Sequence, residues 1–71
     1  MDPLDTSAIK VIEIVGVSTT SFEDAVRHAV EKAAVSINGI TSVEVVGQSA
    51  TVRDGAVARF EARVKLSFVV R

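Results

Sequence analysis

From Ala56 to Val70 the chain alternates almost without interruption: Ala56, Ala58, Phe60, Ala62, Val64, Leu66, Phe68 and Val70 point one way, and Arg59, Glu61, Arg63, Lys65 and Ser67 the other. Period-two alternation of this length is a half-buried β-strand. At ~3.3 Å per residue it extends ~50 Å, whereas a compact chain of this size has a radius of gyration of only ~11 Å. The strand must therefore bend around a helix or project from the body towards a neighbour. Ala8–Val15 (Ala-Ile-Lys-Val-Ile-Glu-Ile-Val) reads as another strand, stopped at Gly16. It is apolar on both faces, Ile12 and Ile14 on one and Ile9, Val11 and Val15 on the other, so both faces need cover.

Between these strands the period changes. Phe22, Ala25, Val26, Ala29, Val30, Ala33 and Ile37 recur at helical spacing, with Arg27, His28, Glu31 and Lys32 opposite. Ser21 is suited to cap this helix through the backbone N–H of Asp24, and Thr20 with Glu23 offers a competing capping box. The predicted helix runs from Ser21 to Ile37 or Asn38, with Asn38-Gly39 as its stop. Ile40–Arg53 is the second strand, broken by a bulge or close backbone approach at Gly47. Arg53-Asp54-Gly55-Ala56 is a hairpin turn that places Asp-Gly where both residues need positive φ. The elements give an α+β protein of strand–helix–strand–strand order. Its three-stranded antiparallel sheet has the last strand in the middle and one helix on its face.

Composition sharpens this. The 71 residues make a single domain, expected over 9–71 after a frayed lead-in at 1–8, and 48% are hydrophobic with no cysteine. A chain this small and apolar, without disulfides or thiolate-bound metal, gains stability most readily by burial against copies of itself. A homo-oligomer is expected. A net charge of −1 and three Phe without Tyr or Trp give no footprint for nucleic acid. No apolar run spans a bilayer, and the acidic N-terminus lacks the features of a signal peptide. No membrane or nucleic-acid partner is expected, and the cytoplasm is the expected location.

The catalytic inventory is thin. His28 is the sole histidine, and nothing adjacent in sequence orients it as a general base. Asp24, His28 and Glu31 lie on successive turns, but Glu23–Arg27 and Arg27–Glu31 charge pairs are the more economical reading than a metal site. Gly16-Val-Ser-Thr-Thr-Ser lacks the spaced glycines and lysine of a phosphate loop. No enzyme is expected.

Four segments, Lys10-Val-Ile-Glu-Ile-Val-Gly16, Ser18-x-x-Ser21-Phe-Glu, Val43-Glu-Val-Val-Gly-Gln48 and Val64-Lys-Leu-Ser-Phe68, occur in the order and spacing seen in the dodecins. The chain resembles that family from Ile9 onward. The resemblance implies a homo-dodecameric hollow shell. It further implies that some members hold flavins as stacked pairs between subunits, for storage and protection from light, without catalysis. Where flavin-binding members have a stacking Trp, this chain has Ser42; where they have a Gln that bonds the ring edge, it has Glu61; Gln48 matches a residue near the same junction. The expectation is a dodecin-like shell whose flavin site is lost or altered and which binds a small ligand or ion. The alternative is a dodecin that stores and sequesters flavin (riboflavin, FMN or FAD) through a modified site; a small aromatic ligand is a further candidate partner.

Overall fold

The computed structural model describes residues 6–70. The elements are β1 (Ala8–Ser18), α1 (Phe22–Ala34), β2 (Ile40–Arg53) and β3 (Ala56–Val70). They form one antiparallel sheet of order β1-β3-β2, the α+β arrangement read from the sequence. The expected frayed lead-in falls mostly outside the described residues; Ala8 already begins β1.

The core is small and sits where α1 crosses β1 and β3. Ala25, Ala29, Ala62, Val64 and Leu66 are buried, and Ile12, Ile14, Val26, Val30, Ala33 and Ile40 pack around them. Burying Val64 and Leu66 contributes about 1.5–3 kcal/mol each. On the opposite face of β1, Ile9, Val11, Val15 and Val17 are about half exposed among the described residues.

Two boundaries differ from the sequence reading. β1 does not stop at Gly16 but continues to Ser18, because Gly16, Val17 and Ser18 pair with Ala62, Glu61 and Phe60. Gly16 serves instead as a point of close approach. A Cβ added there would lie 1.9 Å from the Ala25 carbonyl oxygen and 2.9 Å from the Ala29 Cβ. Glycine in β1 and alanine in α1 together let helix and strand nearly touch.

The helix also ends earlier than its apolar stripe suggests. Val35 is the C-cap, and the Ala33 carbonyl accepts from the N–H groups of both Ser36 and Ile37. Val, Ser and Ile in succession weaken helix propagation. Gly39 then turns at φ 78° to bring Ile40 into the sheet. The N-terminus is as expected: Ser21 Oγ accepts from the Asp24 N–H at 3.0 Å, with Glu23 and Asp24 in the first turn.

β2 slips against β3 between Val45 and Gly47, leaving Val46 as the extra residue of a bulge at the anticipated break. Before it, Val45 opposes Val64; after it, Gln48 opposes Ala62 and Ala50 opposes Phe60. The bulge thus transfers the helix-side positions from odd to even numbers. Asp54 and Gly55 have φ 53° and 78°, as a two-residue primed hairpin turn requires.

The β2–β3 hairpin runs past the helix as an arm. The molecule measures 54 × 21 × 14 Å with a radius of gyration of 14.5 Å, above the ~11 Å of a compact chain this long. Of the alternatives set by the length of β3, the strand projects.

Candidate functional site

At the N-terminus of α1, the end of β1 and the first helical turn share one polar network. Ser18, 4% exposed, is its hub. Its Oγ donates to Asp24 Oδ2 at 2.7 Å and accepts the N–H groups of Thr20 at 2.9 Å and Ser21 at 3.4 Å. Asp24 Oδ1 accepts from Arg27, whose Nε lies 3.8 Å from Glu31 Oε1. The Ser18 hydrogen bond, with further help from Arg27 and His28, holds the Asp24 carboxyl below its ordinary range despite partial desolvation. His28 joins through Nε2, 3.4 Å from Asp24 Oδ2, while its Nδ1 lies 2.8 Å from the Val17 carbonyl oxygen.

The Ser18 hydroxyl is nearly sealed from solvent and spent on structural contacts, donating to the Asp24 carboxylate and accepting from two backbone N–H groups. Asp24 and Glu31 are each engaged by Arg27. Among the described residues no three His, Cys, Asp or Glu side chains gather in metal-binding geometry. The helix-face charge pairs therefore form, although Arg27 takes Asp24 alongside Glu31 where Glu23 was expected. Ser18 went unremarked as a site residue in the sequence. Its signal lay in Ser18-x-x-Ser21, where one serine caps the turn and the next caps the helix.

The three positions matched to the flavin site lie apart within one subunit. Ser42 sits at the start of β2 opposite Ser67, exposed, on the rim of a shallow depression of about 210 Å³ formed with Val30, Ile40, Thr41 and Val43. Glu61 sits opposite Ser49 and Val17 near the root of the arm. Their rows on β3, Ser67 and Glu61, are separated by about 20 Å of strand. Gln48 opposes Ala62, a buried helix-side residue, and so lies on the other face of the sheet from Glu61.

Glu61 is already engaged. Arg59 Nη2 donates to its Oε2 at 2.8 Å and Ser49 Oγ to its Oε1 at 3.3 Å. Next to this row, on the helix side, the rings of Phe22 and Phe60 meet edge to face, with centroids 5.0 Å apart. They fasten the helix to the root of the arm. Among the described residues no helix is long and apolar enough to cross a membrane.

A strand–helix–strand–strand chain with the third strand central and the hairpin extended defines a class. A sequence model of the dodecins matches residues 8–71. The chain is 34% identical over 65 residues to the calcium dodecin of Mycobacterium tuberculosis (strain ATCC 25618 / H37Rv), covering 92% of each. Among solved structures, dodecin from Streptomyces coelicolor superposes with a TM-score of 0.91 at 30% identity, covering 93% of this chain and 94% of that one. The calcium dodecin structure from M. tuberculosis, described as a calcium-chelating antigen with a novel calcium-binding site, superposes with a TM-score of 0.82 at 34% identity. It covers 92% and 93% of the two chains. The chain belongs to the dodecin family.

Proposed function

We propose that this chain is the subunit of a non-enzymatic, homo-dodecameric shell that binds a small ligand or ion and has lost the stacking flavin site. The observation that carries this reading is the chemistry at the two matched positions: Ser42 offers no ring, and the Glu61 carboxylate is occupied by Arg59 and Ser49. An absent aromatic face forfeits ~0.5–1.5 kcal/mol of stacking per contact beyond area burial. An ionised Glu accepts hydrogen bonds and cannot donate to a flavin ring edge.

Self-assembly is supported by the half-exposed row Ile9, Val11, Val15 and Val17 and by the arm projecting from the body. Assembly also supplies the one way for Ser42 and Glu61 to share a site, since they are far apart in a single subunit. The ion half of the reading draws on the M. tuberculosis relative, named for calcium. With no acidic cluster among the described residues of one subunit, an ion here would be shared by carboxylates of several copies.

Light scattering of the purified protein, with riboflavin and calcium titrations by fluorescence quenching and calorimetry, tests this reading. The expected result is a twelve-subunit mass with riboflavin binding no tighter than the high micromolar range. A stable monomer or dimer at micromolar concentration would remove the shell. Protein that purifies yellow with flavin absorbance bands would establish the alternative, a flavin-storing dodecin with a modified site.

A further inference from the structure

His28 is held from two sides, and the two contacts make opposite demands on a neutral ring. Nδ1 lies 2.8 Å from the Val17 carbonyl oxygen. A carbonyl oxygen only accepts, so Nδ1 carries a proton. In neutral imidazole Nε2 is then a bare lone pair, yet it lies 3.4 Å from Asp24 Oδ2, another acceptor. Adding a proton at Nε2 turns this opposition into a charge-assisted contact, and both nitrogens then donate.

We propose that His28 is a proton-operated clasp between α1 and the end of β1. The protonated ring ties the helix to the Val17 carbonyl and to Asp24 at once; loss of the proton keeps the first tie and sets lone pair against carboxylate at the second. The inference rests on the fold and is independent of what the shell binds.

The surroundings support it. Asp24 is kept ionised through the histidine range by Ser18, which also belongs to β1. Arg27 faces the other oxygen of Asp24 and Glu31 in turn engages Arg27, so neither competes for Oδ2. The groove beside His28 is walled by Ile14, Val15, Gly16 and Val17 of β1, with no ionisable side chain, and by Ala29 and Lys32 of α1. Lys32 is the one charged group in that wall opposing the proton, and its flexible stem lets the ammonium turn to water. The clasp bears on Val17 and Ser18, which pair with Glu61 and Phe60 at the root of the arm.

The test compares melting temperatures of the assembled protein at fixed concentration, from about pH 8 to about pH 5.5, where histidine changes charge. Wild type is set against His28→Asn, whose amide keeps a short donor but does not titrate. The chain has one histidine, so titration of other groups is common to both proteins and cancels. A proton partner gained on folding adds stability at low pH and loses it as pH rises. The melting temperature of wild type relative to the variant should therefore rise by about 4 °C on acidification. The same comparison in an Asp24→Asn background should show no such rise, because the carboxylate that rewards the proton is gone. Parallel curves, a difference that shrinks on acidification, or a rise that persists without Asp24 would each overturn the clasp.

Discussion

At Gly16 a single missing atom decides how closely α1 lies on β1. The nearest neighbour of an added Cβ is a backbone carbonyl, which cannot rotate away as a side-chain tip would. The Gly16→Ala variant should lose about 2 kcal/mol through forced separation of helix and strand, lowering the melting temperature by about 10 °C. Calorimetry on the purified variant checks this, and an unchanged melting temperature would show that the approach is slack. The sequence disclosed that Gly16 was special but not why. A glycine after a run of β-branched residues reads locally as a stop, and its actual duty depends on Ala25, nine residues away on another element.

Elements were legible where a residue's environment is set by its own strand or helix. The Ala56–Val70 alternation located the central strand because both of its neighbours pair with it, leaving its helix-side row uniformly buried at Ala62, Val64 and Leu66. Asp54-Gly55 fixed the turn because few other residues accept positive φ in succession. The helix end was less legible. Ile37 continues the apolar stripe, yet it is half-buried from beyond the helix, in the turn leading to Gly39. An aspartate in the central row is expected to abolish the fold: Val64→Asp or Leu66→Asp would bury an unpaired carboxylate in a core of five buried residues. That costs several kcal/mol, a large share of what a small domain possesses. Solubility and circular dichroism report it, and either variant melting like wild type would mean that the row is not sealed.

At the scale of the whole molecule the sequence could align Ser42, Glu61 and Gln48 with one site but could not say that a single subunit keeps them apart. Any meeting between them depends on how copies assemble, which no intrachain periodicity encodes. Placing flavin-binding groups at these positions is therefore a test of assembly as much as of chemistry. Ser42→Trp with Glu61→Gln supplies a stacking face and a two-way hydrogen-bonding amide. At ~1 kcal/mol from each change, riboflavin should bind about thirtyfold more tightly than to wild type. Fluorescence titration measures it; no improvement in an intact assembly would place the site elsewhere. The arm adds a mechanical consequence of its own. Phe22 and Phe60 act as a fulcrum, and the hairpin tip at Asp54 lies about 20 Å beyond it along the strand. On a lever of that length a tilt of about 5° displaces the tip by about 2 Å, so small shifts in the packing at the root move a distant turn.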